Sequence, residues 1–293
     1  VTKLLIRVIA AAALIAACSG APSSTLTPSA PPNPRATPTQ SPPEPTAVAA
    51  TPVGIIAIGH SGLTGEGTAG PYEANPAASW ATGNDLAVNS VYMRLVAARP
   101  ETRGVSANTA RGGAVASELR FQAASALAIV PAPSLIIVQT IDNDIQCDAA
   151  NVTEFGQSVA SALAFIHDAS PSSKILVVGQ MGRPSVSYIT DLVAQVPEQK
   201  QALTWDDECT FFDTSGMINE PGFAKLTAAI DAYEAEEARI CATVPNCFTD
   251  GGVRKQWIDK IEYFSSDFAH LNKTGQAAEA EQIWPVVEQV LGL

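Results

Sequence analysis

Positive charge is scarce in this sequence and histidine is scarcer still. Lys and Arg number 17 against 29 Asp and Glu, so the chain carries a net charge of −12. That excludes nucleic acid as a partner, because phosphate binding wants a basic face. The acidity favours solubility and says nothing about fold. There are three histidines, His60, His167 and His270, and none stands beside the cysteines at a spacing that would complete a zinc site. No metal or cofactor is therefore expected. The glycine-rich stretch Leu63-Thr64-Gly65-Glu66-Gly67-Thr68-Ala69-Gly70 lacks the Gly-Lys-Ser/Thr ending of a phosphate loop, which excludes that kind of nucleotide site. The apolar run Val8 to Ala17 is too short to cross a bilayer. No internal repeat is visible. What is present is bulk: 293 residues, 46% of them hydrophobic, enough for one substantial core.

The N-terminus is organised for export. Lys3 and Arg7 precede the short apolar run, so residues 1–17 read as a signal peptide. The end of that run, Leu14-Ile15-Ala16-Ala17-Cys18, resembles the lipobox of bacterial lipoproteins. The resemblance implies acylation of Cys18 and attachment to the outer face of the cytoplasmic membrane through the lipid alone. An ordinary signal peptide cleaved near Ala17, giving a secreted protein, is the alternative. Residues 18–52 then form a linker. Ala21 to Pro52 is dominated by Pro, Ser and Thr, with Arg35 and Glu44 as its only charges. It cannot bury a core, and its prolines favour an extended spacer. The domain is expected over 53–293, acting as a monomer.

Within the domain, apolar runs alternate with helical patterns. Val53 to Ile58 is a run of β-branched and small residues that ends in Gly59-His60-Ser61-Gly62, and reads as a strand buried on both faces. Further strands are expected at Gly104–Ala107, Ser134–Thr140, Lys174–Gly179 and Cys247–Thr249. Helices are expected at Asn84–Arg99, Val115–Ile129, Asn151–Asp168 (capped by Asn151 or Thr153), Ser185–Leu203, Pro221–Cys241 and Thr274–Leu291. Pro285 should kink or divide the last helix. This alternation predicts an α/β fold, a three-layer α/β/α sandwich around a central, mainly parallel sheet.

Four polar blocks punctuate these elements. Gly59-His60-Ser61 follows the first strand and Gly112-Gly113-Ala114 the second. Asn143-Asp144 follows the third, and Asp267-Phe268-Ala269-His270 precedes the last helix. In this order they resemble the SGNH hydrolase superfamily, the GDSL-type esterases and lipases, over about residues 53–293. The resemblance implies an SGNH/flavodoxin-like fold. It also implies Ser61 as nucleophile, His270 as general base and Asp267 as the acid that orients it. The oxyanion hole would be formed by the backbone N–H groups of Ser61 and Gly113 and the side chain of Asn143. The residue types suit that chemistry. A serine hydroxyl needs a base, imidazole serves near neutral pH, and a carboxylate fixes the imidazole tautomer.

Two blocks depart from the pattern. His60 stands where the family has Asp, and Ile141-Asp142 replaces the usual Gly-Xaa before Asn-Asp. Asp142 is expected to point away from the oxyanion, and His60 to be a buried or rim residue. Glu66 and Asp144 are expected to be solvated loop carboxylates, with a place on the pocket wall left open. His167 would complement a helix dipole. Of the cysteines after Cys18, Cys241 and Cys247 are the local pair, which leaves Cys147 with Cys209; buried free thiols are the alternative. The function expected is a cell-envelope serine esterase acting on a lipid or acylated carbohydrate. The alternatives are an acyltransferase or carbohydrate deacetylase using the same residues, or a non-catalytic binding lipoprotein.

Overall fold

The computed structural model describes residues 51–205 and 207–293. The signal peptide, Cys18 and the linker through residue 50 lie outside the described residues.

Five strands form one parallel sheet: β1 (Ile55–Gly59), β2 (Ser106–Asn108), β3 (Leu135–Gln139), β4 (Lys174–Val178) and β5 (Cys247–Thr249), in the order β2-β1-β3-β4-β5. Strand periodicity divides the apolar residues between two cores. Ile56, Ile58, Ile136, Val138, Ile175 and Val177 face one side. There they meet α2 (Leu119–Ile129), α3 (Val152–Ala169) and α6 (Glu220–Cys241). Ile55, Ala57, Leu135, Ile137, Leu176 and Val178 face the other, against α1 (Val91–Ala98) and α7 (Lys273–Leu291). Continuous apolar runs are what a sheet covered on both faces requires. Each fully buried Ile or Leu contributes about 1.5–3 kcal/mol relative to exposure. A smaller third cluster joins Ile189, Phe212 and Phe223, around α4 (Val186–Gln195) and the segment after it.

Several helices differ from their sequence reading. Residues 84–89 are turn, because Asn89 takes a positive φ of 49° and Ser90 then caps α1 by accepting from Met93 N–H. Residues 116–118 form a 3-10 turn before α2. The helix expected over Ser185–Leu203 is broken at Val196-Pro197 into α4 and the short α5 (Gln199–Ala202), since proline lacks the N–H the helix needs. Asn151 occupies the cap position of α3 without capping it. Its amide instead donates to the Asp144 carbonyl at 3.0 Å. Pro285 does not divide α7. Both disulfides are formed, Cys147–Cys209 and Cys241–Cys247. No described helix is long and apolar enough to cross a membrane.

Candidate active site

β1 ends in a turn that only glycine can make. Gly59 sits at φ +143°, and a Cβ there would lie 1.8 Å from the Gln139 carbonyl oxygen. The chain then enters a 3-10 turn, Ser61–Leu63, which leaves Ser61 at the carboxyl edge of the sheet, 9% exposed. Open α/β sheets place their sites at that edge.

The Asp267–His270 segment reaches the same edge from the start of α7. Asp267 Oδ1 accepts from the backbone N–H of Ala269 and of His270, both at 2.9 Å, and from the Ser265 hydroxyl at 2.7 Å. Its other oxygen lies 2.9 Å from His270 Nδ1. Burial pushes this carboxyl upward. The backbone donors, the imidazole and the hydroxyl outweigh burial and hold it down at about 2. Asp267 is therefore a carboxylate at neutral pH, fixed to the Nδ1 side of the ring. Gly67, at φ +89°, lies under His270, where a Cβ would come 2.7 Å from His270 Cβ.

Ser61, Asp267 and His270 line one cavity of about 420 Å³. Among the described residues, Ser61 Oγ makes no hydrogen bond to His270; Nε2 faces Glu66 Oε1 at 3.7 Å. Glu66 is not a solvated loop carboxylate. It is 9% exposed and lies on the cavity wall.

Gly113 and Asn143 do not line this cavity. They belong to two turns that meet each other: Asn143 Nδ2 donates to the Ala114 carbonyl at 3.0 Å, which leaves its second N–H free to donate. Gly113 takes φ +73°, and among the described residues no backbone carbonyl accepts its N–H. Asp144 is not solvated either. It accepts from Ala116 N–H at 3.0 Å and from the Thr140 hydroxyl at 3.2 Å, and burial pushes its carboxyl up.

Asp142 stays about half exposed and is not turned into the core. It lines the cavity, 3.7 Å from His60 Nδ1, and accepts from the Gln180 amide. Ile141, just before it, takes φ +89° with its side chain wholly buried in the core. His60 is 2% exposed, and its Nδ1 accepts from Gly62 N–H at 3.1 Å. Burial lowers its basicity, against the pull of Asp142. His167 lies in the last turn of α3, outside the cavity.

Sequence reading missed the far wall. Arg254 and Glu279, each 2% exposed, pair at 2.6 Å behind the site. With its amide oxygen turned toward Arg254, Gln139 accepts from the guanidinium at 2.9 and 3.1 Å. Burial pushes Glu279 up to about 7 despite Arg254. Asp259, raised by burial to about 6, lies on the wall with Tyr188. The rest is apolar: Met181, Ile189, Leu192, Leu203, Phe211, Phe264 and Phe268. None of these residues carries a local signal in the chain. Among the described residues, the one cluster spaced to hold a metal is Cys147, Asp207 and Cys209, and both thiols are committed to the disulfide.

No protein-family model and no curated protein matches this chain. Solved structures do. An extracellular lipase from Streptomyces rimosus superposes with a TM-score of 0.51 at 15% identity, covering 81% of this chain and 99% of the lipase. A Streptococcus pneumoniae protein, provisionally described as a platelet activating factor, superposes with a TM-score of 0.50 at 13% identity, covering 82% and 86% of the two chains. At such identities the likeness establishes the fold alone, and by it this chain has the three-layer α/β/α fold of that lipase.

Proposed function

We propose that this chain is an SGNH-type serine esterase that cleaves carboxylic esters through an acyl-enzyme. The observation that carries the reading is the convergence on one cavity of Ser61 with an imidazole already held by a carboxylate, from opposite ends of the chain. Ser61 Oγ attacks the ester carbonyl as His270 Nε2 takes its proton. Asp267 keeps the Nδ1 proton in place and stabilises the imidazolium. The resemblance assigns the developing oxyanion to the N–H donors of Ser61, Gly113 and Asn143, of which only Ser61 lines the cavity. His270 then hands its proton to the departing alcohol, and a water activated by the same base releases the acid. The lipase that shares the fold supports this reading. An acyltransferase or a carbohydrate deacetylase would use the same residues.

A fluorophosphonate probe tests it. Wild-type protein should be labelled, and Ser61→Ala should abolish the label; labelling that survives the substitution removes Ser61. An unlabelled wild type returns weight to a non-catalytic binding protein. Envelope attachment is proposed on the sequence around Cys18 alone, and Cys18→Ser should move the protein from the membrane to the soluble fraction.

A further inference from the structure

Glu66 is a carboxylate in an unusual place. It is nine-tenths buried and lies on the cavity wall, and among the described residues no lysine or arginine pairs with it. Its nearest charged-group neighbour is His270 Nε2, at 3.7 Å from Oε1. Its remaining support is slight: Thr64 Oγ1 approaches Oε2 at 3.5 Å. Burying a carboxylate without a cation is costly, so a site that keeps one is arranged to meet positive charge.

The direction of the reaction says which part of a substrate meets it. His270 Nε2 delivers the proton to the leaving alcohol, so the alcohol oxygen must come within hydrogen-bond reach of that atom. Glu66 Oε1 therefore borders the alcohol side of the site. Tyr72 borders it too. Its ring stands edge-on to His270 with centroids 5.5 Å apart, and it is 67% exposed on the cavity wall. Asp142 adds a second half-exposed carboxylate to the wall, while the cavity's Arg254 is taken up by Glu279. A carboxylate with an aromatic face is the chemistry that recognises a substituted ammonium group.

Resting on the esterase reading above, we infer that Glu66 sets substrate choice and selects esters whose alcohol carries a positively charged ammonium group near the ester oxygen. A unit-charge attraction at about 4 Å lies between ~1 kcal/mol in water and ~4 kcal/mol at an effective dielectric of 20, or roughly 5-fold to 10³-fold. The open cavity puts the expected preference at about ten-fold or more.

The test uses three esters of one acyl group, the acyl length being fixed beforehand as the one turned over fastest among p-nitrophenyl esters. They are the choline ester, its uncharged isostere the 3,3-dimethylbutyl ester, and the anionic 2-sulfoethyl ester. Wild-type kcat/KM should favour choline over the isostere by about ten-fold, rank the sulfoethyl ester last, and lose the preference as salt is raised. Glu66→Gln should bring the choline-to-isostere ratio close to one, the ratio being read within the variant because Glu66 also faces His270 Nε2. Tyr72→Leu, at an exposed position that does not threaten folding, should lower the ratio by roughly 2–5-fold. A wild-type ratio near one on a turned-over isostere overturns the inference and leaves the esterase standing. So does a Glu66→Gln variant, folded by its melting curve, that slows both esters equally, since that marks a carboxylate serving only the imidazolium. Absence of turnover on every ester, with no label at Ser61, removes both readings.

Discussion

Replacing Cys147 and Cys209 by alanine tests how the apolar wall of the site is held. The bridge closes 62 residues of chain. Loop-closure entropy for that length is worth about 4 kcal/mol, against about 2 kcal/mol for the six-residue loop of Cys241–Cys247. For a domain of this size, each kcal/mol moves Tm by roughly 2–4 °C. Loss of the long bridge should therefore lower Tm by roughly 8–16 °C and loss of the short one by roughly 4–8 °C. The long bridge should also matter for turnover. Cys147 lies four residues after Asn143, and Cys209 lies between Leu203 and Phe211 of the apolar wall. The double variant should lose kcat at temperatures where circular dichroism still reports a folded protein. Paired melts and initial rates decide this. Equal Tm shifts, or a larger one for the six-residue loop, would refute the entropic argument. Unchanged kcat in the folded variant would refute the bracing.

Asn143→Ala should lower kcat by about 10²–10³ with KM nearly unchanged, because its donor serves the transition state; steady-state kinetics on one soluble ester check it. Asp267→Asn keeps a side-chain oxygen to accept from the backbone N–H groups of Ala269 and His270 but turns an N–H toward His270 Nδ1, so the ring carries its proton on the wrong nitrogen and kcat should fall by about 10³–10⁴. The same variant bears on acid stability. A carboxyl held at about 2 against 3.8 contributes stability that is present above pH 4 and lost as pH falls toward 2, so Asp267→Asn should flatten that limb of a Tm–pH curve. Gly67→Ala forces a left-handed backbone on alanine and a methyl within 2.7 Å of His270 Cβ. It should cost about 1–3 kcal/mol in a denaturant melt and displace the base enough to slow kcat on the order of 10²-fold.

The parts of the site that depend on neighbours in sequence were legible in the chain. Asp267 and His270 are three residues apart, and one turn with backbone donors suffices to join them. Gly59 announces a sharp turn at a strand end because no side chain fits there. The apolar runs of β1, β3 and β4 show a sheet covered on both faces, which forces helices onto each side.

Other features needed the chain folded. Glu66 reads as an ordinary loop acid until His270, at the far end of the sequence, is brought to 3.7 Å. Arg254 and Glu279 look like surface residues of a turn and a helix; only packing buries them together behind Ser61. The left-handed turn at Ile141 is kept because a buried isoleucine costs more to expose than a left-handed backbone costs to hold. Local propensity and spacing thus determined the sheet, the turn that carries Ser61 and the Asp267–His270 pair. Burial, which is a property of the whole molecule, decided which charges line the cavity.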